Sequence, residues 1–419
     1  MSIGYACLTV GVLGTDQKSC ILKNVSKEKL VELIAYNLNS LEKIIDYNIE
    51  NNIKLFRISS DLIPFGSSPA NNLPWWNIFA DQFQEIGNKA QQNGIRLSMH
   101  PGQYTVLNSP HIEVVKRAID DLNYHTQVLE SLGVGPNHKI VLHIGGIYND
   151  KAEAIKRFIT NYHHLQDSVK QRLIIENDDK SYNISDVLEI GTALSAPVVF
   201  DNLHNKINPS NKEMSDLYWI NECRKTWKGK DGQQKIHYSQ QDPFKKAGSH
   251  SSTIYINEFM EFYDNIDRSD LDIMLEVKDK NLSAVKCINC TSVDKNIKAL
   301  ELEWSKYKYK ILENSHLDYV EIRKLLRNKN DYPAISFYNL VEGALEKESN
   351  VGGSINAAQH IWGYFKDIAS DKEKDSFFKS IESYKQGLTS VKTIRNLLWK
   401  MTVKYNQQYL LNSYYFVIQ

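Results

Sequence analysis

The fold is decided by a short stretch of the chain, Leu97-Ser98-Met99-His100-Pro101-Gly102-Gln103-Tyr104. It begins as an apolar, strand-like run, ends abruptly at a histidine and then turns on Pro-Gly. A strand that ends in a ligand-type side chain, followed by a loop with polar and aromatic groups, is typical of barrel enzymes, which place their chemistry at the carboxyl ends of the strands. We therefore expect His100 to belong to a functional site.

Similar runs rich in Val, Ile, Leu and Phe recur and alternate with stretches of helical periodicity, which is the βα pattern of a parallel sheet or barrel. Eight such runs favour a closed (β/α)8 barrel, a TIM barrel, over an open sheet, because the eighth strand would close the ring. The predicted strands are Ile3–Cys7, Lys54–Ser59, Arg96–Met99, Lys139–Ile144, Arg172–Glu176, Pro197–Phe200, Lys235–Tyr238 and Asp272–Val277. The predicted helices between them include Lys27–Asn51 after the cap Ser26, Trp76–Asn93, Ile112–Leu132 and Ala152–Leu165.

The pattern changes near Leu300, where long amphipathic segments rich in Lys and Tyr replace the strand signals. We predict an α/β barrel over residues 1–300 and an additional all-α C-terminal domain over residues 306–419. Residues 306–419 carry a net charge of +5 and residues 1–305 a net charge of −5. The basic domain could help to bind a polyanion, but so small an excess is more often simply a solvated surface. The predicted C-terminal helices are Glu303–Arg327, Tyr338–Lys347, Ile355–Ala369, Lys372–Gln386 and Ser390–Tyr405.

The composition, with 42% hydrophobic and 24% charged residues, is that of an ordinary soluble protein. The five cysteines form an odd, scattered set, which argues against a disulfide framework and favours a reducing compartment. No apolar run approaches the roughly 20 residues needed to cross a bilayer, and the N-terminus shows no signal-peptide pattern. We therefore expect a cytoplasmic protein without membrane contact.

Ligand-type side chains stand at the end of every predicted strand from the third to the eighth, and a parallel barrel brings these ends to one rim. Taken alone, each histidine or carboxylate is more often structural than functional, but their coincidence predicts a metal centre. Four or more imidazoles and three carboxylates exceed the needs of one ion, so we expect two or three divalent ions with bridging carboxylates. The candidate ligands are His100, His143, Glu176, Asp201, His204, His237, His250 and Glu276.

Lys235 lies two residues before His237, so both side chains are predicted to point to one side of the seventh strand. Metal ions would repel an ammonium group, so we expect its amine to be neutral or carboxylated, the latter giving a bridging anion. Clustered ions with nitrogen and oxygen ligands suit phosphodiester hydrolysis, in which one ion activates water and another stabilises the leaving oxygen. Lys235, Glu176 and Glu276 are therefore the predicted catalytic residues.

Six motifs together resemble those of the UV damage endonuclease family, in the family's order. They are Gly4-Tyr5-Ala6-Cys7, Arg57-Ile58-Ser59-Ser60-Asp61, His100-Pro101-Gly102-Gln103-Tyr104, His143-Ile144-Gly145-Gly146, Glu176-Asn177-Asp178 and Asp201-Asn202-Leu203-His204. The resemblance covers residues 1–290 and implies an endonuclease IV-like TIM barrel that nicks DNA immediately 5′ to UV photoproducts (cyclobutane pyrimidine dimers, 6-4 photoproducts), leaving a 3′-hydroxyl and a 5′-phosphate without ATP. It also implies Mn²⁺, with Zn²⁺ or Mg²⁺ as alternatives, the eight ligands above and a carboxylated Lys235.

The same resemblance assigns Gln103 and Tyr104 as lesion probes that enter damaged double-stranded DNA where the damaged bases flip out. A tyrosine ring can replace lost stacking, and damaged bases cost less to extrude. In the alternative interpretation, Tyr104 merely covers the mouth of the barrel. Tyr5, at the end of the first strand, either contacts the lesion or is structural.

Two serines and one arginine complete this comparison with the family. Arg57 and Ser60 are expected to brace loops or a phosphate rather than to take part in chemistry. Ser68 departs from the family pattern, which often has a histidine before the following proline. A serine cannot act as an imidazole ligand or proton donor, so a third-metal or leaving-group role of that loop is in doubt.

The C-terminal region resembles a small bacterial YbgA-like helical domain of uncertain function. The resemblance rests on three segments: Asn356-Ala357-Ala358-Gln359-His360-Ile361-Trp362-Gly363-Tyr364-Phe365, Ser383-Tyr384-Lys385-Gln386-Gly387 and Tyr409-Leu410-Leu411-Asn412. No residue of this region indicates a chemical role.

Other functions stay open from the sequence. An endonuclease IV-like abasic-site endonuclease could use the same ions, but it would nick abasic DNA well and dimer-containing DNA poorly. A metal-dependent sugar isomerase on a similar barrel would turn over substrate without DNA, and the surplus of histidines counts against it. A non-catalytic DNA-binding scaffold is the remaining alternative.

Overall fold

The computed structural model describes residues 1–266 and 268–418. Its central element is a closed barrel of eight parallel strands in sequential order, with helices following the strands. This confirms the predicted (β/α)8 TIM barrel. The strands are β1 (Ser2–Ala6), β2 (Leu55–Ile58), β3 (Arg96–Met99), β4 (Lys139–His143), β5 (Leu173–Glu176), β6 (Val198–Asp201), β7 (Gln234–Tyr238) and β8 (Leu271–Leu275).

The helices of this part of the chain begin close to where the sequence predicts them. Ser26 caps α1, as predicted, and its side chain accepts a hydrogen bond from the backbone N–H of Lys29. The predicted helix Trp76–Asn93 is divided at Phe79 into α2 and α3. The helices are α1 (Lys27–Glu50), α2 (Trp75–Ile78), α3 (Ala80–Gln92), α4 (Ile112–Ser131), α5 (Lys151–His163), α6 (Asp167–Arg172), α7 (Ile184–Leu194), α8 (Asn202–Ile207), α9 (Asp216–Arg224), α10 (Ile256–Ile266) and α11 (Asn281–Thr291).

The strands place alternate side chains inside the barrel. One interior cluster is apolar and contains Val141, Ile174 and Val199, packed against Trp227. Two residues further along the same strands, the side chains on this face are ligand-type groups. The last interior-facing residues of β4, β5 and β6 therefore lie side by side at the carboxyl end of the barrel.

The chain forms two compact units. The first contains Met1–Thr9, Gly14–Ile254 and Glu261–Val285, and the second contains Val10–Leu13, Tyr255–Met260 and Lys286–Gln419. The predicted boundary at residues 300–306 lies within one continuous helix, α12 (Ile297–Asn314). The assignment of domains to residues 1–300 and 306–419 stays a prediction.

The second unit is helical, as predicted. Its core includes Trp362 stacked on Phe377, with ring centroids 4.5 Å apart. The predicted helix Glu303–Arg327 is divided at Ser315, whose extended backbone ends α12 and whose side chain caps the next helix. The further helices are α13 (His316–Leu325), α14 (Ala334–Leu345), α15 (Val351–Trp362), α16 (Asp371–Lys385), α17 (Val391–Lys404) and α18 (Gln408–Leu411).

No helix in the described part of the chain is both long enough and apolar enough to cross a membrane. All five cysteines are free, which agrees with the expectation of a chain without a disulfide framework.

Candidate metal centre

Glu176 lies at the centre of the predicted ligands. It ends β5 and is 1% exposed. His100 Nε2 lies 3.1 Å from Glu176 Oε2, and His237 Nδ1 lies 2.6 Å from Glu176 Oε1. His143 Nε2 is 3.6 Å from Glu176 Oε2. One buried carboxylate therefore connects side chains from β4, β7 and the residue that follows β3.

Asp201 and His204 form the second part of the cluster. Asp201 ends β6, and its Oδ1 accepts a hydrogen bond of 2.7 Å from the backbone N–H of His204 at the start of α8. His204 Nδ1 lies 2.9 Å from the carbonyl oxygen of Asn177, which can only accept, so Nδ1 carries a proton. In the neutral ring, Nε2 is then free to bind an ion.

The side chain of Asn177 holds the backbone of Asp201 on both sides. Its Oδ1 accepts from the N–H of Asp201 at 2.9 Å, and its Nδ2 donates to the carbonyl of Asp201 at 3.1 Å. This role of Asn177 was not predicted from the sequence, although its position directly after Glu176 was a usable signal. Asn177 therefore ties the end of β5 to the end of β6.

Glu276, which directly follows β8, forms the third part. Its Oε1 lies 3.2 Å from His237 Nδ1, and its Oε2 lies 3.7 Å from His250 Nε2. Arg57 on β2 donates to Glu276 Oε1 at 2.6 Å, so Arg57 braces a carboxylate of the cluster, a contact that was not predicted from the sequence. Burial alone would raise the pKa of Glu276, but Arg57 and His237 hold it below its usual range.

The structure thus brings all eight predicted ligands together, and their chemistry fits divalent ions. Three overlapping groups have ligand atoms within 4.8 Å of one another, and Glu176 belongs to all three. Buried atoms within the set, Asp201 Oδ2 and His237 Nε2, have no hydrogen-bond partner, a costly state unless another group binds them. The groups are His100–His143–Glu176, Glu176–Asp201–His204 and Glu176–His237–Glu276.

The pKa values of His100 and His204 are shifted in opposite directions. Burial lowers the pKa of His100 to about 4, against the opposing effect of Glu176, so its ring is neutral near pH 7. Burial also acts to lower the pKa of His204, but Asp201 and Glu176 raise it to about 9. The negative charges of Asp201 and Glu176 can be balanced either by a proton on His204 or by a metal ion. A bound ion would therefore take the place of this proton.

Lys235 is placed as predicted, on the same side of β7 as His237, and it is 1% exposed. Burial, together with Arg96 and Arg57, holds the pKa of its amine well below the usual range. These effects favour the neutral form of the amine.

A cleft of about 180 Å³ lies beside the cluster. Gln103 and Val106 line one side of it, Asp179 and Lys180 line another, and its walls include the imidazoles of His143 and His204. Two of the candidate ligands, His143 and His204, therefore border an open space beside the cluster.

Residues 1–305 match the family described as UV-endonuclease UvdE. The chain belongs to the UvdE family. Its relatives include two UV DNA damage endonucleases. The Clostridium perfringens protein is 42% identical over 386 residues, which cover 91% of this chain and 92% of the relative. The Bacillus mycoides protein is 32% identical over 288 residues, which cover 67% and 90%.

Among solved structures, the crystal structure of SacUVDE matches this UvdE-family chain with a TM-score of 0.66 and 37% identity, covering 72% of this chain and 99% of SacUVDE. Residues 308–418 match a family described as a protein of unknown function, DUF1722. The match to the Clostridium perfringens relative covers more of the chain than residues 1–305 and so extends into this region.

In this UvdE-family barrel, the loop after β3 presents Gln103 and Tyr104 to the outside, and Tyr104 is 72% exposed. A Cβ on Gly102 would lie only 2.4 Å from the Tyr104 ring, so a larger residue there would require the ring to move. Thr105, which follows at once, is buried, and its Oγ1 donates to Asp121 Oδ2 at 2.6 Å. The predicted probe residues Gln103 and Tyr104 therefore sit on a loop whose end is fixed to α4; we call residues 100–105 the probe loop after that prediction.

The beginning of the same loop is fixed as well. Ser60 Oγ lies 2.9 Å from the carbonyl oxygen of His100 and 2.9 Å from His125 Nε2. Ser60 thus braces a loop, as expected. His125 lies four residues after Asp121 on α4, so one face of this helix holds both ends of the probe loop.

Thr105→Val is expected to weaken this anchoring. The valine keeps the shape but removes the hydroxyl, which leaves the buried carboxylate of Asp121 without this donor and lowers the free energy of unfolding by about 1 to 2 kcal/mol. Thermal or urea unfolding of the full chain would measure the loss. Thr105→Ser keeps the hydroxyl and serves as the control. Equal stability of the valine variant and the wild type would contradict the anchoring role.

The prediction that Tyr5 contacts the lesion is wrong, and its structural alternative holds. Tyr5 is fully buried, and its hydroxyl bonds to Thr9 at 2.7 Å and to Asn48 of α1 at 2.9 Å. Alternation along β1 explains this, because Gly4 and Ala6 face the barrel interior and Tyr5 faces the helix.

Ser68 lies in a turn, where its Oγ accepts from the N–H of Ala70.

Proposed function

We propose that this chain is a metal-dependent endonuclease that nicks DNA immediately 5′ to UV photoproducts and leaves a 3′-hydroxyl and a 5′-phosphate. One observation carries the proposal: Glu176, two further carboxylates and five imidazoles cluster at the carboxyl end of a UvdE-family barrel. Such a donor set suits clustered divalent ions, and phosphodiester hydrolysis is the chemistry for which those ions are used.

In this proposal, the eight side chains around Glu176 hold two or three ions, which we take to be Mn²⁺, with Zn²⁺ or Mg²⁺ as alternatives. Divalent ions held there would supply activation of water and stabilisation of the negative charge on the leaving oxygen. Glu176 and Glu276 act as catalytic residues because their carboxylates would bind the ions at the reacting centre. Arg57 keeps Glu276 ionised and fixes its orientation through the 2.6 Å contact.

We propose that Lys235 acts in its carboxylated form. A neutral amine can attack carbon dioxide, forming an N–C bond and releasing a proton, which converts the side chain into an anionic oxygen donor. The buried position of Lys235 and the lowered pKa of its amine support this reaction. The carboxylated side chain would extend from β7 towards the ions held by His237.

The substrate side of the proposal rests on the loop after β3. Gln103 and Tyr104 would enter the duplex where the damaged bases flip out, and the cleft lined by His143 and His204 would accept a flipped base. Lysine and arginine contacts to phosphates would make the affinity fall with salt. We also infer that the reaction needs no ATP and takes place in the cytoplasm.

The test is to incubate the full chain with Mn²⁺ and with matched UV-irradiated, abasic and undamaged duplexes in the absence of ATP. The expected result is a single cut directly 5′ to the photoproduct, with a 3′-hydroxyl that a polymerase can extend. Pretreatment with EDTA should abolish the cut, and added Mn²⁺ should restore it, because the buried carboxylates alone cannot activate water.

Other outcomes would replace this function. Efficient cutting of abasic DNA with poor cutting of irradiated DNA would identify an abasic-site endonuclease. No cutting of any duplex, together with turnover of a ketose or aldose in the presence of Mn²⁺, would identify a sugar isomerase. Cutting that survives complete removal of metal would contradict the assignment of the metal centre.

A further inference from the structure

The loop after β7 folds back on itself as a short hairpin. Gln241 and His250 form an antiparallel bridge. Ser251 N–H donates to the carbonyl of Gln240 at 2.9 Å, and Asp242 N–H donates to the carbonyl of Ser249 at 2.7 Å. We call residues 241–250 the β7 hairpin. Its second strand ends at His250, one of the candidate ligands.

The tip of the β7 hairpin is held by polar side chains. Gln241 Nε2 donates to the carbonyls of Asp242 at 2.8 Å and Lys246 at 3.1 Å, and its Oε1 accepts from the N–H of Gly248 at 2.8 Å. Gly248 has φ +82°, a conformation that favours glycine. Asp242 Oδ1 accepts from the N–H of Phe244 at 3.1 Å. The tip is therefore ordered without apolar packing.

Phe244 stands at this tip with 95% of its surface exposed, more than any other large apolar side chain among the described residues. An exposed phenylalanine forgoes the stabilisation that burial of its ring would give. Two lysines follow it directly, Lys245 and Lys246, and Lys278 from the loop after β8 lies 3.1 Å from Asp242. The tip thus combines an exposed ring with a local excess of positive charge.

The position of the β7 hairpin in the barrel adds a geometric argument. In a ring of eight strands, β7 lies opposite β3, and both loops leave from the carboxyl end. The loop after β3 carries Tyr104, which is 72% exposed. The loops that carry these two exposed rings therefore leave the barrel from opposite sides of its carboxyl end, where the candidate metal ligands also lie.

We propose that the β7 hairpin is a second DNA-contacting element, in which the Phe244 ring stacks on or wedges between base pairs while Lys245 and Lys246 contact phosphates. Apolar side chains such as phenylalanine commonly insert between base steps, and lysines bind phosphates with release of counterions. The proposal rests on the proposed function, because it takes duplex DNA as the substrate. It adds a contact across the cut site from the Tyr104 loop.

Phe244→Ala in the full chain tests the role of the ring. It should weaken binding to an irradiated duplex by roughly tenfold, the loss expected for one stacking contact, while metal content and thermal unfolding stay at wild-type values. Phe244→Trp should restore the affinity because it keeps an aromatic ring. Val293→Ala, at a position that is 89% exposed in the second unit, is the matched control and should bind as the wild type does.

Two further measurements separate stacking from charge. A 2-aminopurine placed stepwise along the duplex should fluoresce more strongly at one flanking position with wild-type protein, and this signal should be lost in Phe244→Ala. The double variant Lys245→Gln, Lys246→Gln should reduce the slope of log affinity against log salt by about two, since each phosphate contact contributes about 0.9.

Wild-type protein that nicks irradiated DNA, while Phe244→Ala binds with unchanged affinity and leaves the 2-aminopurine signal unchanged, would overturn the inference and leave the proposed function intact. Wild-type protein that neither binds nor nicks the irradiated duplex would overturn the proposed function itself, and this inference with it. A loss of metal in Phe244→Ala would show that the hairpin supports His250, which would also overturn the inference.

Discussion

Glu176→Gln is expected to lower the rate of nicking of irradiated duplex DNA by about 10³-fold or more, because ion-mediated charge stabilisation is worth several kcal/mol and each 1.36 kcal/mol is tenfold in rate. The amide has nearly the same size but no charge, and it offers one oxygen where the carboxylate offers two. Glu176 Oε1 faces His237 and Oε2 faces His100, so one half of the cluster would lose its ligand whichever way the amide turns.

The measurement combines steady-state nicking of a duplex with one photoproduct and elemental analysis of the purified protein. Metal content should fall together with activity, since Glu176 belongs to all three ligand groups. Glu189→Gln, at an exposed carboxylate on α7, is the matched control and should keep both. Full activity of Glu176→Gln with a full complement of metal would show that Glu176 is not the shared ligand of the site.

Tyr104→Ala is expected to reduce the preference for irradiated over undamaged DNA, measured as the ratio of the two kcat/KM values, by about 10- to 100-fold. One aromatic contact with a base is worth about 1 to 3 kcal/mol. The residue is 72% exposed and hydrogen-bonds to none of the candidate ligands, so metal content should not change. Its loss removes a ring that would fill the space left by flipped bases.

Tyr104→Phe provides the matched control, because it keeps the ring and removes only the hydroxyl, and it should retain most of the discrimination. Loss of metal from Tyr104→Ala would refute the separation between His100, which faces the cluster, and Tyr104, which faces outwards. Unchanged discrimination would support the alternative in which this ring only covers the barrel mouth.

The barrel and the clustering of the eight candidate ligands could be predicted from the sequence because both follow from local periodicity. Short apolar runs mark the strands, and parallel strands bring their carboxyl ends to one rim whatever the details of packing. His143, Glu176 and Asp201 each stand two residues after an apolar interior residue, a spacing that is visible in the sequence. That these side chains bind metal stays a prediction.

The partners of individual side chains could not be predicted, because they depend on register and on distant segments. Arg57 pairs with Glu276, which is 219 positions away. The direction of Tyr5 depends on which alternating set of β1 faces the barrel, and one residue of slip would reverse it. The exposure of Phe244 could not be predicted from the sequence, because it depends on how the loop folds and not on the composition of the loop.

A local hydrogen bond also ends a helix that the apolar periodicity predicted to continue. The amphipathic pattern of residues 303–327 continues through Ser315, but the serine side chain accepts a hydrogen bond from the N–H of Asp318 and so begins a new helix. Serine competes with the helix backbone in this way wherever the fold favours a turn. The pattern of apolar residues alone cannot separate such a junction from a continuous helix.

The two anchors of the probe loop, Ser60 at its beginning and Thr105 at its end, also bear on how DNA is searched. They order the loop during folding, so the conformational entropy of the loop is already lost before DNA arrives. An encounter with DNA then needs little further ordering, and more of the contact energy remains for affinity. In the proposed function, such a rigid loop would sample each site briefly and remain only where a distorted base pair lets the Tyr104 ring enter.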